Sequence, residues 1–124
     1  MFMEKLQNSR ELSEIVTERG LPADAKTCSL LAGEGNRDAL DVYHVAGKYI
    51  GRALSYATNL VNPHKIYFGG GVSDSLELLL PSMIPEFEKA TVKQCADIEI
   101  QKTALTYDAA LIGAAALVLL NIKP

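Results

Sequence analysis

The chain has 124 residues, a formal net charge of −3, a hydrophobic fraction of 48% and a charged fraction of 22%, values that are typical of one globular domain with a modest core. Because its lysines and arginines are scattered and form no basic stripe, the charge pattern argues against nucleic acid as a direct partner. The longest apolar run, Ala109 to Ile122, is shorter than the roughly 20 residues needed to cross a bilayer, so a membrane is not an expected partner either.

The two cysteines, Cys28 and Cys95, lie far apart and neither belongs to a CxxC pair, so the sequence gives no support for a zinc site. We expect both to be reduced thiols packed in helices, as in proteins of a reducing compartment. The first eight residues lack the apolar core and the cleavage site of a secretory signal. The predicted location is therefore the cytoplasm.

The first half of the chain predicts three helices. Ser9 can cap the first helix, which carries apolar side chains on one face and ends at a Gly-Leu-Pro sequence. Thr27 can cap a short second helix that the glycines at Gly33 and Gly35 interrupt. A long third helix is expected from about Arg37 to Leu60, because apolar residues recur there at helical spacing.

Small residues form a stripe on this long helix at Gly47, Gly51 and Ser55. Glycine lowers intrinsic helix stability, so a stripe with four-residue spacing indicates close approach of a neighbouring element. The Asn62-Pro63 pair should end the helix, since proline cannot continue it.

A β–α–β unit is predicted next. Lys65–Phe68 has the composition of a short strand, and the helix after it should be split by Pro81 and Pro85. The segment from Asp97 to Gln101 alternates apolar and polar residues, as a half-buried strand does. A right-handed crossover would make the two strands parallel.

Asp108 can cap a last helix from Ala109 to Leu120. That helix is apolar nearly all round, so we expect other elements to enclose it on several sides. Two short strands do not make a stable sheet by themselves. We therefore expect further strands to lie outside this chain or to come from a second copy.

Three consecutive glycines, Gly69, Gly70 and Gly71, connect the first strand to its helix. Strand, glycine turn and helix in this order bring backbone N–H groups close to a phosphate or a nucleotide. A turn that needs a positive φ explains the glycines equally well, so the residues alone leave both explanations open. His44 and His64 have no nucleophile or carboxylate at motif spacing, so no catalytic residue and no metal ligand is predicted.

Three sequence blocks then point to a family. They are AGEGNRDA at 32–39, LVNPHKIYFGGGVS at 60–73 and YDAALIGAAA at 107–116. Together they resemble the C-terminal portion of the ROK-family (repressor, ORF, kinase) sugar kinases, glucokinase-like members of the actin/hexokinase-like ATPase superfamily. The resemblance extends from Glu4 to Leu120.

The resemblance implies an α/β fold, namely a helix-rich, partial ribonuclease-H-like lobe of the actin/hexokinase type with a short parallel β–α–β unit. It implies that residues 1–124 form a single domain, the C-terminal part of the second lobe, and that the N-terminal lobe is absent. The family chemistry is phosphorylation of a hexose hydroxyl by ATP with Mg²⁺.

In this resemblance Gly69, Gly70, Gly71 and Val72 correspond to the adenosine-binding turn, where a Cβ would block the nucleotide. The phosphate-binding Asp-Gly-Gly segment, the catalytic Asp, the sugar-binding Glu and His and the zinc-binding cysteines have no counterpart, and Asn36 replaces the usual Asp. The sugar site is therefore not expected in this chain, and the chain alone is predicted to be inactive. It stays open whether this chain binds ATP or no cofactor at all.

Two other functions remain compatible with the residues. The chain could belong to the effector domain of a sugar-responsive ROK transcriptional repressor, or it could be a ligand-free oligomerisation fragment. An unfilled sheet edge is a template for pairing with another chain, so a homodimer or a larger assembly is expected.

Overall fold

The computed structural model of the protein describes residues 1–93, 98–104 and 108–121. Helices predominate in these residues, with one 3-10 helix and one pair of strands. The elements are α1 (Phe2–Asn8), α2 (Arg10–Glu18), α3 (Ala25–Gly33), α4 (Arg37–Val61), β1 (Lys65–Phe68), the 3-10 helix (Gly71–Ser75), α5 (Leu76–Ala90), β2 (Glu99–Lys102) and α6 (Ala109–Asn121).

Side-chain caps set the starts of α2 and α3. The Ser9 hydroxyl accepts a hydrogen bond from the Leu12 backbone N at 3.2 Å, as the sequence predicts. The prediction that Thr27 caps α3 is wrong. Asp24 is the cap, and its Oδ1 accepts from the Thr27 backbone N at 2.9 Å. A carboxylate three residues ahead satisfies that N–H, so the helix begins two residues before Thr27.

The long helix α4 matches its predicted limits. The Asn36 side chain caps its start and accepts from the Ala39 backbone N at 3.0 Å. Asn62 ends it in the left-handed conformation, with φ 48°. Asparagine tolerates this region better than most residues, and the proline after it prevents further helix.

The hydrophobic core lies where the first four helices meet. Leu12 and Val16 of α2 pack with Leu31 of α3 and Ala39 of α4. Helix α1, which the sequence patterns do not predict, contributes only partly buried side chains such as Phe2 to this cluster.

Ion pairs hold α1 on the first turns of α4. The Lys5 ammonium lies 2.9 Å from the Asp41 carboxylate and 3.5 Å from that of Asp38. These contacts are exposed, so they orient α1 more than they stabilise the fold.

Helices α4 and α5 pack at backbone distance. A Cβ on Gly47 would lie 2.7 Å from the Leu79 carbonyl oxygen, and one on Gly51 would overlap the carbonyl oxygen of Met83. Both glycines are buried, together with Ser55 one turn further along α4. The small-residue stripe therefore marks a close approach, as predicted.

Helix α5 is continuous from Leu76 to Ala90, so the prediction that prolines split it is wrong. Glu77, Pro81 and Pro85 follow one another at four-residue spacing and all face solvent. Each proline removes an N–H donor, but the carbonyl groups that lose it lie on this face, where water can replace the bond. Burial of the opposite face against α4 keeps the helix intact.

The two strands form a parallel pair, with Ile66 opposite Ile100. This confirms the predicted β–α–β unit, in which α5 connects the strands. β2 begins at Glu99, and the start predicted at Asp97 lies outside the described residues. At the first pair of the register, the Lys65 ammonium forms an ion pair with the Glu99 carboxylate at 2.6 Å.

Helix α6 forms as predicted, and the Asp108 carbonyl accepts its first hydrogen bond from the Ile112 N at 2.8 Å. The expectation that α6 is enclosed is wrong for this structure, because the side chains from Ala110 to Leu120 are all exposed. None of the described elements lies against it closely enough to cover them. No helix among the described residues is long and apolar enough to span a membrane.

We expect Gly51→Ala to destabilise the fold, because the added Cβ would strike the Met83 carbonyl. The gain in helix propensity, about 1 kcal/mol, is opposed by overpacking, and the net loss should be about 1–2 kcal/mol. Urea unfolding followed by circular dichroism measures it.

The matched control is Gly33→Ala, at a helical glycine with no atom within 4 Å of the added Cβ. This variant should be as stable as the parent or slightly more so. Equal stability of the two variants would contradict the close approach of α4 and α5.

Candidate functional site

The turn after β1 depends on Gly70. Its backbone angles are φ 70° and ψ −166°, a region that only glycine adopts readily. A Cβ on the preceding Gly69 would lie 3.3 Å from the Thr103 Oγ1, so that position is tight as well. The glycine run therefore meets a conformational requirement at one residue and a space requirement at another.

Polar contacts fix the segment that follows. The Ser73 hydroxyl donates to the Gly70 carbonyl oxygen at 2.6 Å, and the Ser73 backbone N donates to the same oxygen at 3.1 Å. The Lys102 ammonium donates to the Asp74 carboxylate at 2.7 Å. The first two bonds stabilise the turn itself, and the ion pair connects it to the end of β2.

A cavity of about 740 Å³ lies beside this turn. Gly71 and Val72 line it, whereas Gly69 and Gly70 shape the turn without lining the cavity. Of the four predicted site residues, Gly71 and Val72 therefore line the cavity, and the other two form the turn beside it. The other lining residues, from α1, α3, α4, the 3-10 helix and α5, are Phe2, Ala25, Lys26, Cys28, Ser29, Val42, Tyr43, Ala46, Ile50, Asp74, Ser75 and Leu79.

Three hydroxyl groups meet in the wall of this mostly apolar cavity. The Ser29 and Ser75 hydroxyls lie 2.8 Å apart, and the Tyr43 hydroxyl donates to Ser75 at 3.2 Å. Hydroxyls both donate and accept, so this cluster could hydrogen-bond a polar edge of a flat ligand. Sequence patterns did not single out this cluster, because its members come from three separate helices.

Cys28 belongs to the same wall and is buried. Desolvation raises the pKa of its thiol to about 11. Its Sγ lies 3.9 Å from the Ala39 carbonyl oxygen. The thiol is therefore protonated at neutral pH and is a poor nucleophile. This confirms the expectation of a packed thiol for Cys28, while Cys95 lies outside the described residues.

Two charged side chains, Lys26 and Asp74, also line the cavity, and Asp74 is paired with Lys102. His44 and His64 are exposed. Over residues 1–93, 98–104 and 108–121, no group of three His, Cys, Asp or Glu side chains could hold a metal ion. The described part of the site is thus an apolar cavity with a cluster of three hydroxyls, one ammonium and one carboxylate in its wall.

The family model of the ROK family matches residues 3–120. This chain belongs to the ROK family. The match confirms the resemblance drawn from the three sequence blocks, and it covers nearly the whole chain.

Two curated relatives carry different names. A glucokinase from Halalkalibacterium halodurans is 35% identical over 90 residues, which are 72% of this chain and 27% of that protein. The DNA-binding transcriptional dual regulator NagC of Escherichia coli K12 is 33% identical over 58 residues, which are 47% of this chain and 14% of that protein. The matched part of this ROK chain therefore spans 27% of the length of the glucokinase and 14% of the length of NagC.

Solved structures agree with the fold. A candidate sugar kinase from Cytophaga hutchinsonii superposes with a TM-score of 0.79 at 25% identity, over 95% of this chain and 39% of that one. A ROK family glucokinase from Streptomyces griseus, solved with glucose and AMPPNP, superposes with a TM-score of 0.77 at 24% identity, over 92% of this chain and 38% of that one. The fold is thus the helix-rich α/β fold of ROK sugar kinases.

The raised pKa of Cys28 predicts a specific pH dependence of stability. The native state holds the thiol proton more tightly than the unfolded chain does. The contribution of this proton to the free energy of unfolding is therefore fully present below the ordinary thiol pKa. It is lost as the pH rises toward about 11. Urea unfolding at a series of pH values, in reductant, should show the parent losing its advantage over Cys28→Ala between about pH 9 and 11.

Comparison with Cys28→Ala cancels the titration of lysines and tyrosines, which both proteins share. A stability difference that stays constant over this pH interval would show that the thiol is not desolvated.

Proposed function

We propose that this chain supplies the adenosine side of the nucleotide site of a ROK sugar kinase. In this proposal residues 1–124 are the C-terminal part of the second lobe of such an enzyme. The observation that carries it is the position of the glycine turn, whose last residue, Gly71, opens onto the cavity together with Val72.

The size and chemistry of the cavity support a nucleoside ligand. Small-molecule sites usually enclose about 300–1,000 Å³ and combine apolar walls with few polar groups, and this cavity has about 740 Å³. A flat base would lie between the apolar side chains, within reach of the hydroxyls of Ser29, Tyr43 and Ser75. The glucokinase of Streptomyces griseus, which has this fold, was solved with AMPPNP.

The chain's own role would be to bind and orient the base end of ATP and to exclude water from it. Phosphoryl transfer further requires aligned charge at the phosphates and a group that activates the acceptor hydroxyl. The described residues show no set of metal-ligating side chains for Mg²⁺, so no step through the metal is assigned to them. The sugar site belongs to the parent protein in this proposal.

A ROK repressor is the second candidate, because NagC is 33% identical over 58 residues of this chain. In that case the same cavity would belong to the effector domain of a regulator. The sequence encoded upstream discriminates the two parents. A catalytic Asp beside a sugar site indicates a kinase, and a winged-helix segment indicates a repressor.

A ligand-free oligomerisation fragment is the third candidate. It is separated from the others by thermal unfolding with nucleotide, because a ligand at 100 times its Kd stabilises the folded state by about 2.7 kcal/mol. The absence of any shift with millimolar ATP and Mg²⁺ would favour the ligand-free fragment.

We expect Val72→Asp to weaken ATP binding about tenfold. The side chain is 55% exposed and lines the cavity, so a carboxylate there would put a charge against the apolar face of the base without disturbing the core. Titration calorimetry or competition with a fluorescent ATP analogue measures the Kd.

The matched control is Val92→Asp, at a valine that is 49% exposed and does not line the cavity. It should leave the Kd unchanged. Equal losses of affinity in both variants, or undetectable ATP binding by the unsubstituted chain, would refute the adenosine site.

The purified chain should show no ATP-dependent phosphorylation of glucose in a coupled assay, because the described residues bind the base end alone. Turnover that depends on both ATP and sugar, and that survives further purification, would contradict this prediction.

A further inference from the structure

The hydroxyl cluster in the cavity wall keeps one proton free for a ligand. The Tyr43 hydroxyl donates to the Ser75 Oγ at 3.2 Å, and Ser29 and Ser75 share a second hydrogen bond at 2.8 Å in which either oxygen can be the donor. In the part of the chain that the structure describes, these three hydroxyls bond only to one another. Three O–H groups thus make two bonds, and the third proton is available to the cavity that all three side chains line.

The free proton can lie on either serine. If Ser29 donates to Ser75, the Ser75 O–H is the donor toward the cavity and the Ser29 oxygen is an acceptor. If Ser75 donates to Ser29, the Ser29 O–H becomes the donor, and the Ser75 oxygen keeps one lone pair besides the one that receives the Tyr43 proton. Both arrangements contain the same two internal bonds. They therefore present a donor and an acceptor to the cavity in opposite order.

Burial makes these pairings matter for binding. Ser75 is only 7% exposed, and a buried hydroxyl that is left unpaired is costly. In one arrangement Ser29 receives the Ser75 proton, and in the other the ligand receives it. Val42, Ile50 and Leu79 of the same cavity offer a flat base apolar contact but no hydrogen bond. The Asp74 carboxylate already accepts from Lys102.

The exchange on the serines matches the difference between the hydrogen-bonding edges of amino and oxo purines. Adenine carries an amino donor at N6 beside an acceptor at N1, whereas hypoxanthine and guanine carry an acceptor at O6 beside an N1–H donor. A site with fixed donors rejects the base of opposite order, because buried groups on both sides lose their partners. The pair of Ser29 and Ser75 reverses its own order when two O–H groups rotate.

We propose that the hydroxyl cluster makes this nucleotide site accept both classes of purine, so that it binds ITP and GTP as well as ATP. This inference rests on the proposed function and specifies the ligand class of the same site. Tyr43 donates to Ser75 in both arrangements, so it holds the Ser75 oxygen but takes no part in the exchange.

Titration calorimetry of the chain with ATP and with ITP tests the proposal. ITP is the suitable probe because its base differs from adenine only at this edge, whereas guanine adds a second amino group. The two Kd values should agree within about fivefold. A larger preference for ATP would overturn this inference and leave the nucleotide site standing. Failure of both nucleotides to bind would overturn the site as well.

Ser75→Ala removes the oxygen through which the order is exchanged. The Ser29 proton then lacks its partner whenever Ser29 must accept, so one of the two nucleotides should lose at least about fivefold more affinity than the other. Tyr43→Phe is the matched control, because it removes a hydroxyl with the same role in both arrangements. Its two Kd values should rise together, and their ratio should stay within about twofold of the parent's ratio. Circular dichroism verifies that both variants are folded.

Two results with the variants would overturn the proposal. Equal losses for ATP and ITP in Ser75→Ala would show that the serine acts only on the shape of the cavity. A preference of the parent for ITP beyond about fivefold that disappears in Lys26→Ala would assign the base edge to the Lys26 ammonium, which also lines the cavity.

Discussion

The contact between α4 and α5 at Gly47 and Gly51 determines the arrangement of the rest of the protein. Glycine at these positions lets the Leu79 and Met83 carbonyl groups approach the backbone of α4, where any side chain would separate the helices. The position of α5 then fixes the end of the Gly69–Ser75 turn that leads into it. The cavity exists because α4 forms one wall and this turn forms another.

Local signals in the sequence were sufficient for several parts of the fold. Asn36 and Asn62 limit α4 by capping and by a left-handed backbone, and both effects act within one helical turn. The glycine run correctly predicts a turn after β1, because Gly70 has a backbone conformation that other residues avoid. The parallel pairing of β1 and β2 follows from the helical crossover that connects them.

Other parts depend on contacts between distant segments, which no local pattern contains. The Tyr43–Ser75 hydrogen bond joins residues 32 positions apart, so the hydroxyl cluster of the cavity was not found from the sequence. Proline propensity alone predicted a break in α5, but the solvent exposure of Pro81 and Pro85 decided against it. The stripe of small residues indicated a close neighbour without identifying α5.

The prolines of α5 also constrain the order in which the chain folds. Proline in a helix interior costs about 3 kcal/mol relative to alanine, so a segment with Pro81 and Pro85 has little helix of its own. Helix α4 has 25 residues and a cap at each end, so its formation depends less on tertiary contacts than that of α5 does. We therefore expect α4 to form before α5. The second strand can then pair with the first only after α5 has packed on the Gly47 and Gly51 face of α4.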